Sequence, residues 1–297
     1  MEKTDIQILS ILLDNCRTSN RKISETLGIS SVAVASKIKN MFDNGIITRF
    51  SLSIEPLVFG FNIVYFITIG NDSKNIMERL QLIGTPYMTV SCVGGNTICA
   101  ILTKDDISHV TNTAKKLLDE VRILNIFEAP SFDINQVLTK TDLTILKILL
   151  NEPRAKMDYL AKATGFSAKT ASRSLEKLQN NDIIHFTLES DPTKLQNYIS
   201  FAILVNAKKD VKQTASIIEK NLHKSILQKS WLSKNQFVVF FYSDDIYKLD
   251  EISTAVRETD GVESIDLFIP KSTSFPQDWV HKEIDLALKS PKLHIGS

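Results

Sequence analysis

Apolar positions recur along this chain in two rhythms that alternate. Over residues 4–14 they fall at Ile6, Leu9, Leu12 and Leu13, which is helical spacing, with Thr4 placed to cap the helix. Residues 20–27 put Ile23 and Leu27 on one face, and Gly28 then supplies the left-handed conformation that ends a helix at low cost. Ser30 or Ser31 caps a third helix running to about residue 44, with Val34, Ile38, Met41 and Phe42 as its inward stripe. Gly45 ends that helix, and residues 46–54 alternate as the first strand of a β-hairpin. Helix, helix, tight turn, helix, hairpin is the order of a winged helix-turn-helix.

From residue 57 the rhythm changes. Residues 62–69 are β-branched and aromatic, as a strand requires. Residues 75–83 place Ile76, Leu80 and Ile83 on one helical face, with Met77 beside them. Residues 87–93 and 97–102 predict a hairpin across Gly94-Gly95-Asn96, residues 105–120 a helix, and residues 123–129 a last strand. Strand, helix, strand, strand, helix, strand is the ferredoxin-like pattern.

The chain then says the same thing again. Lys3-Thr4-Asp5-Ile6 matches Lys140-Thr141-Asp142-Leu143 at an offset of 137, and Arg17, Gly28 and Ser30 match Arg154, Gly165 and Ser167. After one deletion the offset becomes 136, which sets Glu55-Pro56 on Asp191-Pro192. The second copy predicts strands over 198–205, 226–232, 236–242 and 262–269, and helices over 211–222 and 246–259. A tail follows, broken at Pro270 and Pro276, with a helix over 277–288. The fold class is therefore α+β: two winged helix-turn-helix domains (1–56 and 138–192) alternating with two ferredoxin-like domains (57–137 and 193–270), then a C-terminal tail (271–297).

Composition narrows the function classes. Hydrophobic content of 43% and charged content of 23% are those of an ordinary globular protein. No apolar run reaches the roughly 18 to 20 residues of a membrane span, and the N-terminus lacks a signal-peptide layout, so the expected compartment is the cytoplasm, with no membrane partner. The three cysteines, Cys16, Cys92 and Cys99, have no metal-ligand spacing; Cys92 and Cys99 flank the glycine turn, a position from which they would face each other as reduced thiols. None of the five histidines, His109, His185, His223, His281 and His294, has a partner at ligand spacing. No phosphate loop, nucleophile elbow or paired-carboxylate motif is present, so neither catalytic residues nor a cofactor nor a metal is expected. Asp105-Asp106 and Asp244-Asp245 read as helix caps, and Trp231 and Phe240-Phe241 as sheet-face core.

A net charge of +1 offers no bulk attraction to nucleic acid, so a DNA-binding reading rests on local placement. The third helix of a winged helix can enter the major groove, its exposed side chains reaching base edges. In the first copy those candidates are Ser31, Ser36, Lys37, Lys39 and Asn40, with Val32 and Ala35 on the same face, and Arg49 in the wing placed for a phosphate. In the second copy they are Lys169, Thr170, Ser172, Arg173 and Lys177. There three cations at i, i+4 and i+8 line one face, which makes the second copy the stronger reader.

These motifs resemble the leucine-responsive regulator (Lrp/AsnC) family, which joins an N-terminal winged helix-turn-helix to a ferredoxin-like effector and oligomerisation domain. The matching stretches are TDIQILSILLDNCRTSNRKISETLGISSVAVASKIKNMFDNGIITRF, the GGNTICAIL turn, and in the second copy TDLTILKILLNEPRAKMDYLAKATGFSAKTASRSLEKLQNNDIIHF and SKNQFVVFFY. Lys37 falls where that family usually carries arginine. The resemblance implies a transcription regulator that binds double-stranded DNA, and a small effector such as an amino acid held near Gly94, Gly95 and Asn96. It implies pairing through the effector domains, as a homo-oligomeric dimer or as a pseudo-dimer within one chain. The second copy has Ser233-Lys234-Asn235 in place of the glycines, against a second effector site. The siroheme decarboxylases are also similar in fold, but their cleft uses histidines near the middle strands, and TVSCVGGNTICAIL and QKSWLSKNQFVVFF hold none. That enzyme reading and a winged-helix protein-interaction scaffold without DNA binding are the alternatives.

Overall fold

The computed structural model describes every residue except 71, 130–136, 233–234 and 290–297. The turn at Ser233-Lys234 and His294 thus lie outside the described residues. The first copy opens with α1 (Lys3–Asp14), α2 (Asn20–Leu27), α3 (Ser31–Asp43) and β1 (Ile47–Ile54). Thr4 sits inside α1; the cap is Glu2, whose N–H donates to the Asp5 carboxylate at 2.7 Å, because Asp5 stands three residues on, where a capping-box acid belongs. Ser19 and Ser30 cap α2 and α3, accepting the N–H of Lys22 and Ala33 at 3.2 and 3.1 Å. Gly28 closes α2 at φ 68°.

The first ferredoxin-like unit runs β2 (Asn62–Ile69), α4 (Ser73–Leu80), β3 (Thr85–Cys92), β4 (Asn96–Thr103), α5 (Ile107–Leu117) and β5 (Arg122–Glu128). The second copy repeats α6 (Lys140–Asn151), α7 (Met157–Thr164), α8 (Ala168–Asn180) and β6 (Ile184–Ser190). It continues with β7 (Ile199–Ala207), α9 (Val211–Asn221), β8 (Ile226–Leu232), β9 (Gln236–Ser243), α10 (Ile246–Arg257) and β10 (Val262–Phe268). The tail adds β11 (Pro270–Ser274) and α11 (Asp278–Lys289). Each unit forms an antiparallel sheet in the ferredoxin order, β10-β7-β9-β8 in the second and β11-β3-β4-β2-β5 in the first. Asp106 and Asp245 cap α5 and α10, while Asp244 instead pairs with Lys248.

The expected wing hairpins do not form. Each copy supplies one strand, and β1 pairs antiparallel with β6 of the other copy. In this register Ser51 lies opposite Thr187, its own repeat equivalent at offset 136, so a local two-fold passes through that pair. The closing bonds obey it: the Glu55 N–H donates to the Ile183 carbonyl at 2.9 Å, and the Asp191 N–H to the Ile46 carbonyl at 3.0 Å. The one-residue difference in length between copies appears as an irregularity between Ile47 and Arg49, an extra residue accommodated as a bulge. Two arginines complete the exchange. Arg17 stacks on Phe186 at 5.0 Å, and its equivalent Arg154 stacks on Phe50 at 4.7 Å, each on the other copy's strand. Arg17 also donates to the carbonyls of Pro153 and Ala155 at 2.7 and 2.8 Å. The strand exchange thus joins the two winged helices within one chain, whereas the resemblance implies pairing through the effector domains.

The sheets explain where the cores sit. Val64, Phe66, Cys99 and Ile101 face α4 and α5, while the alternate residues Ile63, Ile67, Met88, Cys92 and Leu102 join a core shared with Leu204 and Phe268 of the second sheet. Cys92 and Cys99 are therefore in different cores: Thr89 stands opposite Cys99 and Pro270 opposite Cys92. Strand β11 was not legible as a strand, since its residues are small, polar and mostly exposed; it forms because the β3 edge offers it backbone partners. The helix after it places Trp279 edge-on to Phe59, Phe61 and Tyr87 at 6.1, 6.0 and 6.2 Å. Burying an aromatic of that size contributes roughly 2–3 kcal/mol. The tail thus runs from the second sheet to the first and onto α6, where Lys147 meets Asp285 at 2.6 Å. Phe241 is fully buried, whereas Trp231 is half exposed and rests edge-on against Phe240.

Candidate nucleic-acid interface

Helices α3 and α8 occupy the recognition position of the two winged helices. Each turns one apolar stripe inward, Val34, Ile38 and Met41 in α3, and Ala171, Leu175 and Leu178 in α8. Phe42 packs on the first stripe but is only partly buried. The stripes hold the opposite face of each helix toward solvent from its N-terminal turn onward. That face carries Ser31, Val32, Ala35, Ser36, Lys39 and Asn40 on α3, and Lys169, Thr170, Arg173 and Glu176 on α8. At the offset of 137 the equivalents are Val32 and Lys169, Ala35 and Ser172, Ser36 and Arg173, Lys39 and Glu176.

Several expected contacts are engaged within the protein. Lys37 lies inward of the exposed face and donates to Glu2 at 2.7 Å and to Asp5 at 2.8 Å. Its hydrogen bonds to Asp5 and then to Glu2 raise its pKa above the ordinary lysine value. Lys177 is also turned inward, to the carboxylate of Asp142, which accepts from Ser174 and Thr139 as well. Burial would raise the Asp142 pKa, but these donors, the Lys177 ammonium first, hold it below the usual carboxylate value. The three-cation face expected on α8 is therefore a two-cation face. Arg49 meets Glu189 at 2.6 Å, because the strand it sits on pairs with the strand that carries that glutamate. Lys39 pairs with Asp43 at 3.2 Å while both stay exposed, and Ser172 donates to Glu176 at 2.7 Å. Ser31 shares a hydrogen bond with Ser24 at 3.0 Å, and Thr170 one with Ser167 at 2.9 Å. Asn40 and Ser36 stay exposed. Lys169 and Arg173 have neither an ion pair nor a side-chain hydrogen bond among the described residues.

The partners of Lys37 and Lys177 lie off the recognition helices, on α1 and α6, where the pattern of α3 or α8 alone does not show them. Their signal was present, since Lys-Thr-Asp opens both copies and places Asp5 and Asp142 alike. The glycine turn lies where it was expected, between β3 and β4, with Gly94 and Gly95 at φ 83° and 88°. The Gly95 carbonyl accepts from the Gly70 N–H at 2.8 Å, and the Val93 N–H donates to the carbonyl of Ile269 at 2.8 Å. Asn96 is the first residue of β4 and lies opposite Ile69.

A winged helix-turn-helix DNA-binding family profile matches residues 1–48 and again residues 138–185. The HTH-type transcriptional regulator Ptr1 of Methanocaldococcus jannaschii is 30% identical over 129 residues, which are 41% of this chain and 86% of that protein. The HTH-type transcriptional regulator LrpB of Bacillus subtilis is 36% identical over 85 residues, 29% of this chain and 57% of the relative. Among solved structures, the siroheme decarboxylase NirDL spans 97% of this chain and 100% of its own at 12% identity, with a TM-score of 0.49.

Proposed function

The chain belongs to the Lrp/AsnC family of winged-helix transcription regulators, and from that premise we propose that it is a sequence-specific regulator binding double-stranded DNA chiefly through α8. One observation supports this placement above the others: Lys169 and Arg173 stand exposed in the first half of α8 with no protein partner among the described residues. The N-terminal part of a recognition helix is what meets base edges in the major groove. An arginine there can take guanine through two hydrogen bonds, and a lysine can take a phosphate. The paired β1 and β6 hold α3 in a matching position across the local two-fold, so a single chain carries both readers. Promoter occupancy is then the regulatory act. The resemblance supports a small effector, such as an amino acid, at the turn of Gly94, Gly95 and Asn96, beside the tail strand that covers the β3 edge.

The test is a binding titration against genomic DNA fragments over a range of salt, comparing the wild type with Lys169→Ala plus Arg173→Ala. The expected result is weaker binding, with the slope of log affinity against log salt reduced by about 1 to 2. Unchanged affinity and slope would remove α8 as the reader. Lys177 is left out of the variant because its loss would strand Asp142, and a folding defect would mimic a binding one.

A further inference from the structure

Resting on the DNA-binding reading, we infer that the two recognition helices select chemically opposite half-sites, α3 one rich in A·T pairs read through thymine methyl groups and α8 one read through guanine. The scaffold is close to palindromic: Ser51 and Thr187 lie on the local two-fold, and the bonds that close the shared strands are exchanged across it. Equivalent positions of α3 and α8 thus meet equivalent places in two inverted half-sites. The side chains at those places are not equivalent. Where α8 presents Lys169 and Arg173, α3 presents Val32 and Ser36.

Val32 is 79% exposed, the most exposed of the large hydrophobic residues among those described. It lies in the first turn of α3, with exposed Ala35 one turn on. In the major groove only thymine offers an apolar group, its C5 methyl, and a valine or alanine methyl is its match. Neither side chain can hydrogen-bond the O6 and N7 of guanine. The cation nearest the start of α3, Lys37, is held by Glu2 and Asp5, so the helix brings no free donor of that kind to its first two turns. Arg173 has the opposite character, with an unpartnered planar fork that matches the O6 and N7 of guanine. A single scaffold therefore reads a bipartite, non-palindromic site.

The experiment is selection of bound duplexes from a randomised pool by the full-length chain, followed by binding to the selected site with altered bases. The expected motif has one A·T-rich half and one half with a required guanine. Uracil in place of thymine in the first half removes only the methyl groups and should weaken binding about fourfold per methyl lost. The same change in the second half should have no effect. Replacing the required guanine by 7-deazaguanine, or Arg173 by alanine (R173A), should cost about 10- to 100-fold at that half alone. The double change Val32→Lys with Ser36→Arg should convert the motif to guanine in both halves. A palindromic wild-type motif, or uracil indifference in both halves, overturns the inference and leaves DNA binding standing. Salt-dependent binding without an enriched motif overturns the sequence-specific reading of both helices. Absence of binding to any duplex overturns the proposed function itself.

Discussion

The two winged helices solve one electrostatic problem at different positions. In each, an aspartate three residues past the cap of the first helix draws a lysine from the recognition helix. In the first copy Asp5 takes Lys37, shared with Glu2; in the second Asp142 takes Lys177, with Ser174 standing where Lys37 would be. The lysine has moved by one turn of helix while the aspartate has stayed. A carboxylate in that crevice needs a cation and hydrogen-bond donors, and either of two neighbouring positions on the facing helix can supply them. Cations counted along a recognition helix therefore overstate what is free for DNA. On α8 one cation of three is taken, on α3 both lysines have carboxylate partners, and only the second copy retains unpaired cations in its first two turns.

The sharpest way to break this comparison is to remove the aspartates. The Asp142 side chain is 2% exposed and that of Asp5 17%, and Lys37 keeps Glu2 when Asp5 is lost. Asp142→Ala should cost about 2–3 kcal/mol, because it leaves the buried Ser174 hydroxyl, Thr139 and the Lys177 ammonium without their acceptor. Asp5→Ala should cost about 1 kcal/mol, as for a pair near the surface. Urea unfolding of the two variants decides it, and equal losses would show that burial does not separate the copies.

Acid offers a second, smaller distinction. Asp142 has its pKa lowered on folding, so the folded chain binds that proton less readily than the unfolded one. The stability it contributes is complete above the unfolded carboxylate value of about 4 and is lost as pH falls through the lower folded value. The melting-temperature gap between the wild type and Asp142→Asn should accordingly stay constant near neutrality and close only below about pH 4. A gap that closes well above that range would mean the carboxylate is not held by its donors.

The smallest expected effect concerns the end of the recognition helix. Gly45 follows α3 at φ 68°, and its equivalent Asp182 follows α8 at φ 53°. The aspartate pays a steric cost that glycine avoids, so Asp182→Gly should raise stability by about 1 kcal/mol, measured by thermal or denaturant unfolding. No gain would mean that hydrogen bonding by the Asp182 side chain offsets the left-handed backbone.

Much of the fold was legible because it is written in local periodicity. The inward stripe of α1 and of α3, the serine cap at Ser30 and the glycine end at Gly28, with Ser167 and Gly165 matching them in the second copy, each follow from residues within one or two turns. The helix of the tail was readable for the same reason. What the periodicity could not tell is whom an alternating strand pairs with. Residues 46–54 alternate equally well for a hairpin and for a partner about 136 residues away, and strand β11 has almost no pattern at all. Likewise Arg49 and Lys177 were expected on an outer face and Lys37 borders the inward stripe of α3, yet each meets a carboxylate.

By itself, the sequence determined two copies of a winged helix joined to a βαββαβ unit, since capping, turn geometry and amphipathic spacing act over a few residues. Only the tertiary structure decided that β1 and β6 share one small sheet, that Arg17 and Arg154 stack across the copies, and that Lys169 and Arg173 are the cations left free on α8. The first two depend on contacts between segments more than a hundred residues apart, and the third on the Lys177–Asp142 ion pair, which spans 35. Burial and charge pairing select them, and no local pattern encodes which distant partner will be met.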